Sequence, residues 1–173
     1  NHLILSVYFN LKSAVVWSFD MTSGSVSLLI FWLDENRYAV PLEQVEQVHP
    51  AVEVTSTTTS SSASPGDFLG FVSVHGTVVP VIDIRVHFGL PPCQIEVHHM
   101  MIVARDGEQM LAFFVDRVED VISYNREQVV IADTMLYANS KVKILSLDNG
   151  LVELSDLRDY LGLKARQWQE RRS

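Results

Sequence analysis

Cysteine is all but missing from this 173-residue chain: Cys93 stands alone, which excludes an internal disulfide and a cysteine metal cluster. A lone cysteine fits a reducing compartment. Positive charge is scarce as well. Lys and Arg total 13 against 21 Asp and Glu, a formal net charge of −8. That sign argues against nucleic acid or anionic lipid as the main partner and suits a soluble protein-binding module. No apolar run reaches the length of a membrane span. Leu3 to Phe9 and Ala14 to Phe19 are separated by Asn10, Lys12 and Ser13, so no direct membrane insertion is expected. Asn1-His2 gives no basic start for a secretory signal. Met21-Thr-Ser-Gly24 looks like a natural beginning, and residues 1–25 are read as an N-terminal extension with Met21 as the expected native start. The rival reading is a short amphipathic, membrane-associating leader.

The usual marks of catalysis are absent too. There is no HExxH, no G-x-S-x-G and no Walker-type Gly-Lys-Ser/Thr. Six histidines occur: His2, His49, His75, His87, His98 and His99. His98 and His99, if on a strand, point to opposite faces and cannot easily share an ion. Nothing marks Cys93 as an activated nucleophile. Asp83 and Asp156 could pair as acid and base, but a capping role for each explains them without further assumption. Asp116 and Asp120 read as turn and surface residues. Trp32, Phe71, Phe113 and Phe114 read as core. No catalytic residue, metal or cofactor is expected.

What is present is a repeated grammar of short strands and tight turns. Apolar residues make up 47% of the chain, enough for a real core. Phe68 to Leu90 shows the pattern most fully. Gly70 opens an apolar run, His75-Gly76 makes a tight turn, and Val78 to Ile82 returns. Pro80 lacks an N–H, so its strand should lie at an edge or bulge. Asp83 caps a short helical turn that ends at Gly89. Earlier in the chain, Leu28 to Leu33 and Tyr38 to Pro41 flank a polar turn at Asp34, and Leu42 begins one helical turn before a strand ended by Pro50. Thr55 to Ser64 is nearly all Ser and Thr and reads as a loop inserted between strands. Later, Met101 to Arg105 and Met110 to Val115 flank Asp106-Gly107, a hairpin signal. Val118 to Tyr124 is extended, and Arg126 to Tyr137 reads as a loop with a short turn. Val142 to Leu147 and Leu151 to Leu154 flank Asp148-Asn-Gly150, and Ser155 or Asp156 caps a turn ending near Gly162. Residues 164–173 form a basic polar tail, expected to be helical.

The halves match each other. Val45-Glu46-Gln47-Val48 resembles Val118-Glu119-Asp120-Val121, and Val79, Asp83, Gly89 and Leu90 match Val152, Asp156, Gly162 and Leu163, at an offset of 73. The turn at Asp34 matches that at Asp106 at an offset of 72. The physical inference is two small β units of about five short strands each, at about 26–92 and 95–163. Each is too small for a large core of its own, so they should pack as one body. Small sheets of this kind close into barrels to remove exposed edges.

These features resemble the CheW-like family of bacterial chemosensory adaptors from about Ser27 to Leu163. The parts that carry the resemblance are Tyr38-Ala-Val-Pro-Leu42 with Val45 to Val48; Phe68-x-Gly70 through His75-Gly76; Val79-Pro-Val-Ile-Asp83; Phe114-Val-Asp116-x-Val118; and Leu154-Ser-Asp156-Leu. The resemblance implies a mostly β fold of two five-stranded SH3-like barrels packed together. It implies a non-enzymatic scaffold in the cytoplasm, at membrane-associated receptor arrays. Its partners would be the regulatory domain of a CheA-type histidine kinase and the cytoplasmic tip of a methyl-accepting chemoreceptor. Val45, Gln47 and Val48 would meet a receptor helix if the valines are exposed; otherwise they point into the first barrel. Leu69, Gly70 and His75 would meet the kinase. The chain departs from the family at two of these positions. His75 stands where Arg is usual, which removes a permanent forked donor, and Gln47 stands where Glu is favoured. The departures point to a divergent chemosensory branch, such as one serving type IV pili. The alternatives are a CheW-like regulatory domain cut from a larger kinase or receiver protein, and a small β-barrel metal-binding enzyme.

Overall fold

A computed structural model describes residues 25–56, 68–125, 129–134 and 140–155. The expected extension at 1–24, most of the Ser/Thr-rich run, Asp156, Gly162 and the expected helical tail lie outside these residues. Eleven strands are described: β1 Ser25–Leu33, β2 Asn36–Pro41, β3 Val45–Pro50, β4 Phe68–Val74, β5 Thr77–Ile82, β6 Met100–Asp106, β7 Gln109–Val115, β8 Arg117–Asn125, β9 Val129–Thr134, β10 Ser140–Leu147 and β11 Gly150–Leu154. A 3-10 turn covers Leu42–Gln44, and one helical turn, α1, covers Ile84–His87.

The strands form two sheets, in the orders β8-β1-β2-β11-β10-β9 and β3-β6-β7-β5-β4. Both curl. The first begins and ends on β8 and β9, which follow each other in the chain. In the second, Thr55, just beyond β3, bridges to Phe71 on β4, joining its two edges. The second sheet is thus a closed five-stranded barrel, and the first, with six described strands, forms an end barrel. The middle barrel, β3 to β7, is continuous in sequence; the end barrel is built from both ends of the described chain. The sequence units 26–92 and 95–163 therefore do not each pair only their own strands.

The exchange between them is reciprocal. Val48 pairs with Ile102 and Leu29 with Val121, the same pair with each partner moved by 73 positions (48 to 121, 29 to 102). The parallel pair Val81 with Ala112 recurs in the same way as Leu154 with Ala39. Even the irregularities match: the register skips Glu46 in β3 and Glu119 in β8. The turns Asp34-Glu35 and Gly107-Glu108 also keep the offset of 73, correcting the 72 read from Asp34 and Asp106.

Three apolar cores follow from strand alternation. Leu28, Ile30, Ala39, Leu145 and Val152 fill the end barrel. Their counterparts at the same offset, Met101, Val103, Ala112, Val72 and Val79, fill the middle barrel. The opposite faces of the same strands meet between the barrels, where Leu29, Phe31, Leu33, Tyr38 and Val40 pack with Ile102, Ala104, Leu111, Phe113 and Val115. A strand buried on both faces needs an unbroken apolar run, which explains Leu28 to Leu33 and Leu111 to Val115. Phe31 and Phe113 are fully buried here, and each contributes about 1.5–3 kcal/mol of burial.

Local expectations fare unevenly. The turns at His75-Gly76, Gly107 and Asp148-Asn149 form, and the Asp83 carboxylate accepts from the Arg85 N–H at 3.0 Å. Pro80 is not on an edge strand: β5 lies between β4 and β7. Its ladder to β7 involves only Val81 and Ile82, so no β7 residue is paired with Pro80. Strand β9 occupies part of the stretch read as a loop from Arg126 to Tyr137. Trp32 and Phe71 are half-buried surface residues, not core. No described helix is long and apolar enough to cross a membrane.

Candidate partner-binding surface

Strand β3 carries three of the expected partner residues, and its two faces separate them. Val45 is buried in the core between the barrels. Its side chain points inward, so it offers no apolar strip to a receptor helix. Val48 is half-buried and packs against the same core from its margin. Gln47 is half-buried, and its Oε1 lies 2.5 Å from His49 Nε2. His75 is exposed at the tip of the β4–β5 hairpin with φ 48°. His75 and Gly76 (φ 81°) both occupy the left-handed region, the geometry of a type I′ turn. His49 lies close enough to feel His75: burial first, and then the charge of His75, hold His49 below the usual imidazole range.

Leu69 and Gly70 sit at the other end of β4. Leu69 lines a small cleft with Arg85, Cys93, His99 and Asp116. Gly70 has φ 144°, and a Cβ there would come within 2.5 Å of the Thr55 carbonyl oxygen. Its glycine is required by the closure of the middle barrel. The six expected residues therefore divide into a group at β3 and the hairpin tip, a pair at the far end of β4, and one core residue.

Two polar networks escaped the sequence reading. Arg85, with a side chain only 7% exposed, joins Asp34, Asp116 and the Pro91 carbonyl, which accepts at 2.7 Å. Asp116 also accepts from the Asp34 N–H, so it is a tie between elements and not a plain surface residue. Second, Glu119 accepts from Trp32 Nε1 at 2.6 Å and from Arg37. Burial acts to raise its pKa, yet these bonds prevail and hold it below the usual carboxylate range. Arg117 stacks over Trp32 with Cζ 4.2 Å from the ring centroid. The other bulge carboxylate, Glu46, accepts from Arg105 at 3.1 Å. Arg105 and Trp32 are counterparts at the same offset of 73. The equivalence of Glu46 and Glu119 is visible in sequence; their donors, which lie far away along the chain, are not.

His99 is buried and His98 exposed, and among the described residues no group of three His, Cys, Asp or Glu is arranged to hold a metal ion.

The model of the CheW-like domain matches residues 27–134. Among curated proteins, the chain is 30% identical over 102 residues to the chemotaxis protein CheW of Klebsiella aerogenes, covering 58% of each chain. It is 25% identical over 145 residues to that of Bacillus subtilis, covering 81% of this chain and 89% of the relative. Among solved structures, it resembles the scaffolding protein TtCheW from Thermoanaerobacter tengcongensis. The TM-score is 0.64 at 20% identity, over 75% of this chain and 87% of that one.

Proposed function

Because this chain belongs to the CheW-like family, we propose that it is a non-enzymatic cytoplasmic adaptor that couples a chemoreceptor to a CheA-type histidine kinase. In this reading the kinase is held through its own regulatory domain, at membrane-associated receptor arrays. The receptor helix lies along the margin formed by Gln47 and Val48, with Val45 supporting the strand from beneath. The kinase meets the middle barrel through the hairpin at His75 and the segment at Leu69-Gly70.

The observation that carries the surface assignment is the grouping of Gln47, His49 and His75. The two departures from the family pattern are linked through one intervening side chain. An arginine exchanged for a histidine, together with a glutamate exchanged for an amide, favours an altered partner, such as a receptor and kinase of a type IV pilus or twitching branch.

The test is a pull-down of receptor tip and kinase regulatory domain with Val48→Asp and His75→Ala, both at half-buried or exposed positions. Loss of receptor binding in the first and of kinase binding in the second, with unchanged circular dichroism, is the expected result. Intact binding of both partners by both variants removes the assignment.

A further inference from the structure

The cleft beside Leu69 has a polar floor with a gap in its bonding. The Arg85 side chain is 93% buried. Its Nη2 meets Asp34 and its Nε donates to the Pro91 carbonyl. Its Nη1 is buried and makes no hydrogen bond. Asp116 Oδ1 stands 3.5 Å from Nη1 and 3.9 Å from His99 Nε2, longer than a good hydrogen bond in both cases. His99 Nδ1 accepts from the Glu96 N–H at 3.1 Å, so the ring proton sits on Nε2. A donor at Nη1 and an acceptor at Asp116 Oδ1 thus border one small space. A buried donor without a partner is costly. The group that fits both atoms is a hydroxyl, which accepts from Nη1 and donates to the carboxylate.

Cys93 opens onto this space. It is the chain's one cysteine, is exposed, and lines the cleft with Arg85, His99 and Asp116. The Arg85 cation is favoured first by its bond to Asp34, against burial, and then by nearby charges that include that of the Cys93 thiolate. The sulfur therefore lies within electrostatic reach of the guanidinium. Its own bond is a weak donation of 3.4 Å to the Gln94 carbonyl. Exposure beside a cation is the setting of reactive cysteines. The sequence alone shows no activating neighbour, because Arg85 on α1 and Asp116 between β7 and β8 meet Cys93 only in the fold.

We propose that Cys93 is a site of oxidation by hydrogen peroxide, and that the cleft holds the resulting sulfenic acid between Arg85 and Asp116. Peroxide has the hydroxyl chemistry that the gap fits. One of its oxygens accepts from Nη1, where negative charge develops as the O–O bond breaks. Sγ passes its proton to the Asp116 carboxylate and attacks the other oxygen. The S–O bond forms, the leaving hydroxide takes the proton from Asp116, and water departs. Sulfur loses two electrons and the peroxide gains them. The new S–OH then fills the gap, accepting from Nη1 and donating to Oδ1.

The test is intact-mass spectrometry of the full chain treated with hydrogen peroxide and dimedone, which traps sulfenic acids. Native protein should form a single adduct about a hundredfold faster than protein unfolded in urea, the order that a positioned acid–base pair supplies. Cys93→Ser should form none. Arg85→Lys keeps the charge but withdraws Nη1, and with unchanged circular dichroism it should label at close to the unfolded rate. A native rate no faster than the unfolded one, or a folded Arg85→Lys variant as fast as the wild type, overturns the proposal. The comparison with urea uses the wild type, so it decides even where Arg85→Lys does not fold. Oxidation at Cys93 needs no partner, and its failure leaves the adaptor reading in place.

Discussion

At the scale of single residues, burial separates structural from displayed groups. Gly70 combines φ 144° with backbone atoms 2.5 Å from any added Cβ. Those atoms belong to Thr55, whose bridge closes the barrel, and cannot move cheaply. Gly70→Ala should cost about 2–3 kcal/mol, read as a lower urea midpoint at unchanged slope. Glu153 is a residue of the opposite kind. Burial raises its pKa, so its charged form is a liability in the folded state. That penalty is present at neutral pH and is relieved as the pH falls through the raised value. Glu153→Gln should therefore stabilise the protein by about 0.5 kcal/mol at pH 7. The gain should vanish near pH 4, and thermal melts at the two pH values check both. Val45 shows where sequence stops. Valines at 45 and 48 look equivalent in a strand flanked by polar residues. The skipped register at Glu46 turns both towards the core between the barrels, Val45 within it and Val48 at its margin.

At the scale of elements, the bulges in β3 and β8 carry unequal loads. Glu119 accepts from three side-chain N–H groups on Trp32 and Arg37, and the Arg37 side chain is only 7% exposed. Glu119→Gln leaves that guanidinium short of its countercharge and should cost about 2 kcal/mol. Glu46→Gln, opposite the more exposed Arg105, should cost less than 1 kcal/mol. Because the Glu119 pKa is depressed, its contribution is complete above the ordinary carboxylate value and is lost as the pH falls through the lowered one. The difference between the two variants should therefore shrink in acid, as denaturant titrations at pH 7 and pH 3 would show. Elements were legible where the signal is local. His75-Gly76, Gly107 and Gly150 fix their turns through positive-φ backbone conformations that few residues adopt, and Asp83 caps its helix through its own carboxylate. Strand β9 was missed because its flanks contain no Gly or Pro and its register depends on β10.

At the scale of the whole molecule, the repeat was legible but its use was not. An offset of 73 positions fits two self-contained units as well as two units that trade strands, since side-chain alternation does not name a strand's neighbour. The trade has a measurable consequence. A fragment of residues 26–92 keeps β1 and β2 but lacks β8 and β11, their partners. A fragment of 95–163 keeps β6 but lacks β3. Each should be unfolded alone by circular dichroism, and an equimolar mixture should recover the sheet signal. Independent folding of either fragment would show that the strand exchange is dispensable.

The nesting of one barrel inside the sequence of the other also sets an order of assembly during synthesis. Everything the middle barrel needs, from Val45 to Val115, leaves the ribosome in one piece. The first described strands to emerge, β1 and β2, must wait for β8 and for β11, the last described to be made. Until then the free edge of β2 and the apolar face of Leu28, Ile30 and Ala39, which Leu145 and Val152 cover in the finished fold, stay exposed. The earliest of the described strands are thus among the last to be secured. The interval between translation of Pro41 and of Leu154 is when the nascent protein most needs a chaperone.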